Sequence, residues 1–132
     1  MEKIIKIIFS FLSTSLIYLL GGWDIALQSL LIVIILDYLT GISKSYVSNK
    51  LNSNKGLKGI VKKLSMLCMV AIASIVDRIV GETGLIRTLI IYYLVANEGL
   101  SILENLGEMN ILVPKILKDK LEQLRDSEDN NE

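Results

Sequence analysis

Apolar residues gather along the chain in four long blocks separated by short polar stretches. The blocks are residues 4–20, 25–42, 60–80 and 84–103. As helices rising about 1.5 Å per residue, they match the roughly 30 Å hydrocarbon core of a bilayer. Because a backbone in lipid must satisfy its own hydrogen bonds, the blocks are predicted to be helices rather than strands. The pattern predicts an all-α membrane bundle, one unit over residues 1–132 with four transmembrane helices.

The first block is open to other interpretations. Lys3 and Lys6 precede its apolar run, as in a signal peptide, but no A-x-A-like cleavage site follows. Four hydroxyl side chains make it the least apolar of the blocks: Ser10, Ser13, Thr14 and Ser15. Three spans are therefore the alternative, with residues 4–20 lying on the membrane surface or translocated.

Basic residues are divided unevenly between the two sides that the spans define. Twelve lie in residues 1–6, in the 43–63 connection and in the tail after Pro114, whereas Arg78 and Arg87 alone flank the opposite turns. Lysine and arginine concentrate in cytoplasmic loops. The asymmetry predicts a multi-pass membrane protein with both termini in the cytoplasm. Residues 43–59 would be a cytoplasmic loop made largely of helix ends.

The tail after the last block is amphipathic rather than uniformly apolar. Leu117, Leu121 and Leu124 recur at helical spacing, with charged residues on the other face. Pro114 precedes them and is favoured at a first helical position. Residues 111–132 are therefore predicted to form an amphipathic and charged tail, with a frayed end from Asp126 onward.

Composition excludes several classes of function. The chain has no histidine and a single cysteine, Cys68, so histidine-based catalysis and Cys/His metal sites are excluded. Lys+Arg and Asp+Glu both number 14, and this zero net charge argues against nucleic acid as a partner. We predict no catalytic residue, no cofactor and no metal site, and thus no enzyme.

One tetrad has the spacing of a nucleic-acid-binding loop. Gly56-Leu57-Lys58-Gly59 matches the GXXG of KH domains. It lies between two predicted spans, where no KH fold can surround it. We interpret it as a loop that faces lipid headgroups.

Charged side chains inside the predicted spans are the main candidates for function. A charge at depth costs roughly 2.5–3.5 kcal/mol on insertion scales and needs a partner or water. Asp37 and Glu98 are predicted to lie near the Lys62 and Lys63 pair, and Asp77 is predicted to pair with Arg87 across the opposite turn. With the residues that share a face with Asp37, they form a predicted polar seam: Asp37, Thr40, Lys44, Lys62, Lys63, Asp77, Arg87 and Glu98. The seam either holds structural ion pairs alone or lines water in an oligomer or pore.

Three stretches between residues 23 and 125 together resemble the toxin-secretion and phage-lysis holins of Gram-positive phages and clostridia. They are Asp37-Tyr38-Leu39-Thr40-Gly41, Ser53-x-Lys55-Gly56-x-x-Gly59, and Asn97-Glu98-x-x-Ser101-Ile102-x-Glu104-Asn105 followed by Pro114. Asn110 stands where the family has glycine, and because asparagine tolerates the left-handed conformation, the turn is expected to be kept. The resemblance implies a protein of the lipid bilayer that forms homo-oligomers and permeabilises the membrane, so that an endolysin or toxin leaves the cell.

The residues by themselves fit two other functions as well. A small oligomeric transporter or channel would share this size and seam, although small multidrug transporters carry a carboxylate in their first span and residues 4–20 contain none. A membrane anchor would instead use its loop and tail to recruit a partner. Release of a folded protein separates a holin from a transporter.

Overall fold

The computed structural model describes residues 1–81 and 83–129, and for residues 128 and 129 the backbone alone. The described part of the chain consists of five helices and the turns between them. The helices are α1 (Glu2–Leu19), α2 (Ile25–Val47), α3 (Ser53–Val80), α4 (Leu85–Glu108) and α5 (Lys115–Asp129). The all-helical prediction is confirmed for this part, and part of the predicted frayed end, residues 130–132, lies outside it.

Within the described residues, three helices, and not the predicted four, are long and apolar enough to cross a membrane: α2, α3 and α4. The four-span prediction is therefore not supported, and three spans remain. The charges Glu2, Lys3 and Lys6 occupy the start of α1, and none of its residues is buried. The uncharged remainder of α1 extends about 20 Å as helix, which is shorter than the roughly 30 Å hydrocarbon core.

Local sequence signals account for the helix boundaries. Asp24 caps α2 by accepting a hydrogen bond from the Leu27 N–H at 2.9 Å, and Asn52 caps α3 by accepting one from Asn54 at 2.8 Å. Gly81 ends α3 in the left-handed region, with φ 78°. Asn110 follows α4 with φ 61°, so asparagine keeps the predicted left-handed turn.

The central helix of the bundle is α4. Helices α2, α3 and α5 all pack against it, whereas α2 and α3 contact each other over a short stretch and α1 contacts only α3 among the described helices. The core between α2, α3 and α4 is built from apolar side chains that include Leu27, Leu30, Met66, Val70, Ile91 and Leu94. Most other apolar side chains of the long helices are exposed, as expected where lipid, not water, is the solvent.

The bundle has two ends that differ in character. We call the end where α2 and α4 finish and α3 begins the loop end, and the end near Asp24, Gly81 and Gly84 the turn end. Helix α5 folds back from the loop end onto α4. Gly99 makes this close approach possible, since a Cβ there would lie 3.0 Å from the methyl carbons of Leu121.

Candidate functional site: two polar clusters in the bundle

At the loop end, one lysine joins two carboxylates from different helices. The Lys63 ammonium donates hydrogen bonds to Asp37 Oδ2, at 2.5 Å, and to Glu98 Oε2. The three side chains are 12%, 12% and 4% exposed, respectively. They come from α3, α2 and α4, so the cluster ties together the three helices that can span a membrane. With one positive and two negative groups, its formal charge is −1.

Asn105 completes this loop-end cluster. Its Nδ2 donates hydrogen bonds to Asp37 Oδ1 and to Thr40 Oγ1, both at 3.1 Å. The Thr40 hydroxyl donates to the backbone carbonyl of Asp37, also at 3.1 Å. Asn105 belongs to one of the holin-like stretches, yet the predicted seam omitted it. The available signal was its position seven residues after Glu98, which puts both side chains on one helix face.

Two lysines of the predicted seam lie apart from this cluster. Lys44 pairs with Glu108 at 3.4 Å, and these side chains are 32% and 54% exposed, so the pair contributes little stability. Lys62 is exposed and makes no ion pair among the described residues. Because neighbouring residues diverge by about 100° around a helix, Lys63 alone faces Asp37 and Glu98.

At the turn end, Arg87 ties the start of α4 to the segment between α1 and α2. Its guanidinium donates to Asp24 Oδ2 at 2.7 Å and Oδ1 at 3.1 Å, a bidentate ion pair. It also donates to the carbonyls of Leu20 at 2.5 Å and Gly22 at 3.0 Å. Arg87 is 5% exposed. The hydrogen bonds that Asp24 accepts, first those from Arg87 and then that from the Leu27 N–H, lower the pKa of its carboxyl below the ordinary value.

The predicted side-chain pair of Asp77 and Arg87 is therefore wrong. The buried Asp77 carboxylate accepts hydrogen bonds from the backbone N–H groups of Ile86, at 3.0 Å, and Arg87, at 2.8 Å. It supplies the cap that α4 lacks, since the N-cap residue Gly84 has no side chain to offer. The carboxylate is thereby satisfied by backbone, which leaves the Arg87 guanidinium to Asp24.

A cleft of about 1060 Å³ opens over the loop-end cluster, between the ends of α2 and α4 and the start of α3. Gly56 and Gly59 line it from the first turns of α3, so the GXXG tetrad is helical rather than a loop. A Cβ at Gly56 would lie 3.4 Å from the Tyr38 hydroxyl, and one at Gly59 would lie 3.5 Å from the Tyr38 ring. The two glycines therefore face Tyr38 of α2 across the cleft.

Comparison with known proteins identifies the family to which this chain is similar. A sequence model of the bacteriophage holin family matches residues 14–126, which include both clusters. The chain belongs to the bacteriophage holin family. Membership of this family indicates that the chain is a membrane protein and not an enzyme.

Relatives of this chain occur in bacteria and in a bacteriophage. A 14.9 kDa protein in the nagH 3′ region of Clostridium perfringens is 45% identical over 114 residues, 86% of each chain. YqxH of Bacillus subtilis is 32% identical over 128 residues, 97% of this chain and 91% of its own. A probable holin of Bacillus phage phi105 is 30% identical over 103 residues, 78% of this chain and 76% of its own. No solved structure matches the chain.

Proposed function

We propose that this chain acts as a holin in the bacterial cytoplasmic membrane. Copies associate into homo-oligomers and open a passage through which a folded endolysin or toxin leaves the cytoplasm. Membership of the holin family supports this proposal. The structural observation that carries it is the loop-end cluster, because Lys63 and two carboxylates lie buried between three helices that can span a membrane.

The packing of one copy explains why the proposal requires many. Leu27, Leu30, Val70 and Ile91 are fully buried where α2, α3 and α4 meet, and a small helical bundle fills its core with side chains. One copy therefore has no room for a folded protein. A passage of that size must be bounded by several copies, each turning a polar face to water and an apolar face to lipid.

The loop-end cluster gives each copy a polar face that can be turned to water. Its formal charge of −1 is costly in hydrocarbon and is stabilised by hydration. Asp37, Thr40 and Lys44 follow one face of α2, and Lys63 and Glu98 approach that face from α3 and α4. We propose that helix rearrangement during oligomerisation exposes these groups to the water of the passage.

We place the loop end on the cytoplasmic side of the membrane. The lysines of residues 44–63 surround this end, and basic residues favour the cytoplasm. With three spans, the turn end and the segment before α2 then lie on the outer side. Helix α1 would remain at the outer surface, in contrast to the cytoplasmic N-terminus that four spans require.

A small oligomeric transporter or channel is the second candidate, because a lysine between two buried carboxylates also suits an ion-binding site within a membrane. Vesicles that contain both a small dye and a folded fluorescent protein distinguish the two functions. A holin reconstituted into their membranes releases both contents. Release of the dye with full retention of the protein would favour the transporter or channel and overturn the holin proposal.

A further inference from the structure

Two adjoining cavities lie along α2 and α3, one with a mixed lining of charged, polar and apolar residues and one that is almost entirely apolar. The first is the cleft of about 1060 Å³ at the loop end, which α4 also lines and which is as large as the pockets of about 300–1,000 Å³ that hold small molecules. The second is a groove of about 230 Å³, whose lining is apolar except at Tyr38 and Lys63. Tyr38, Ile60 and Lys63 line both cavities. The two spaces therefore meet along one side of the bundle.

From the loop end toward the middle of the helices, the cleft comes first and the groove second, just as headgroups and then hydrocarbon follow each other in half a bilayer. The cleft is lined by residues from 37–45 of α2 and 53–63 of α3, whereas the groove is lined by residues from 34–39 and 60–67. The groove is thus farther from the loop end and closer to the middle of the helices. A molecule with a polar head at the membrane surface and a hydrocarbon chain toward the bilayer centre fits this arrangement.

Two lysines at the rim of the cleft favour an anionic head. Five basic side chains line it against three acidic ones. Lys63 is outnumbered by the Asp37 and Glu98 carboxylates, Lys44 pairs with Glu108, and Arg125 pairs with Asp126. The third acidic residue of the lining, Glu104, is exposed. Lys55 and Lys62 are exposed in the cleft and make no ion pair within the described part of the chain. Two ammonium groups are therefore available to a phosphate at this rim.

We propose that the cleft and groove form a binding site for one anionic glycerophospholipid. The phosphate lies at Lys55 and Lys62, and one acyl chain runs along the groove past Ile60 and Leu64. Basic pockets between transmembrane helices bind acidic headgroups by the same attraction. The bound lipid covers the open seam between α2 and α3, where the helices themselves make few contacts. This site does not depend on the proposed function, since any membrane protein with this surface would recruit such a lipid.

Photolabelling tests the site in the full-length protein reconstituted in phosphatidylcholine vesicles. Trace phosphatidylglycerol and trace phosphatidylcholine, with the same photoactivatable acyl chain, are compared, and labelled residues are mapped by mass spectrometry. Because a lysine near the headgroups contributes about fivefold to binding an acidic lipid, phosphatidylglycerol should label residues 34–39 and 60–67 at least about fivefold more strongly. Lys55→Gln combined with Lys62→Gln should reduce this ratio to below about twofold.

Lys50→Gln combined with Lys58→Gln is the matched control, because it removes the same charge from nearby exposed lysines that do not line the cleft. The control pair should retain the wild-type ratio. Equal labelling by the two lipids would overturn the proposal, as would an equal loss of preference in the control pair, which would indicate general surface charge. Crosslinks from the groove to a second copy, in place of lipid label, would also overturn it.

Discussion

Arg87 and Asp24 form a bidentate ion pair that joins the first turn of α4 to the cap of α2. The same guanidinium binds the carbonyls of Leu20 and Gly22, so the segment before α2 is fixed to the bundle. At the opposite end, α2 and α3 diverge around a cleft. The bundle is thus tied at the turn end by Arg87 and at the loop end by the Lys63 cluster, and the cleft lies over that second cluster.

Gly21 tests how tightly the turn end is packed. A Cβ there would lie 2.5 Å from Arg87 Cδ and 2.8 Å from Ser74 Oγ. Gly21→Ala should lower the free energy of unfolding in detergent by about 1–3 kcal/mol more than Gly22→Ala. Gly22 is the matched control because it also has a positive φ, 117°, but no atom within 4 Å of its Cβ position. Equal effects of the two substitutions would contradict the packing around Arg87.

Lys63 should be the most sensitive residue of the loop-end cluster. Lys63→Met leaves two buried carboxylates without a cation and should destabilise the protein by about 3–5 kcal/mol. Glu98→Gln leaves Lys63 paired one-to-one with Asp37, so its effect should be smaller. Thermal unfolding in detergent and the amount of protein in the membrane measure both. Lys62→Met, one position away and without an ion pair among the described residues, should behave as wild type; a loss equal to that of Lys63→Met would refute the assignment.

Much of the fold follows from the sequence because hydrophobic blocks of bilayer length have few alternatives. The stretches 25–42 and 60–80 lie within long helices, and 84–103 lies within α4 except for its N-cap, Gly84. Helices α2 and α3 extend beyond the apolar residues, to Val47 and back to Ser53. Hydropathy reports where lipid ends, whereas a helix ends at a cap or a left-handed residue. The first block was predicted to span the membrane, but its apolar run is too short once the charges at the start of α1 are excluded.

Part of the site was also predictable, because the position of a charge along a span gives its depth in the membrane. Depth along a span indicated that Asp37 and Glu98 share a level with a lysine, and they do. Which of two neighbouring lysines points inward depends on helix rotation, which hydropathy does not determine. The role of Asp24 was missed because it lies outside the apolar blocks, and its partnership with Arg87 depends on how the 20–24 segment folds over α4.

Gly99 tests the contact between α5 and α4. Gly99→Val should push Leu121 away, since a Cβ at this position already reaches it at 3.0 Å. Helix α5 should then separate from α4, and trypsin should cleave at Lys118 and Lys120 several-fold faster while the protein still inserts. Gly107→Val is the control in the same helix, with no atom within 4 Å of its Cβ position. Similar cleavage of both variants would contradict the docking of α5 through Gly99.

Cysteine labelling in a Cys68→Ser background tests the number and direction of the spans. Three spans with the loop end inside predict that Thr83→Cys and Glu2→Cys react with an impermeant reagent added to intact cells. Asn54→Cys should react only after the membrane is opened. Protection of position 2 would indicate the four-span topology. External reaction of position 54 would indicate the opposite orientation of the bundle.

Lysis of cells tests the holin proposal most directly. The gene is induced in a bacterium with and without a cytoplasmic endolysin that has no export signal of its own, and culture turbidity is followed over time. The proposed function predicts an abrupt fall in turbidity only when both proteins are present, together with endolysin activity in the medium. If the membrane becomes permeable to ions while turbidity persists and the endolysin stays inside the cells, the chain is not a holin.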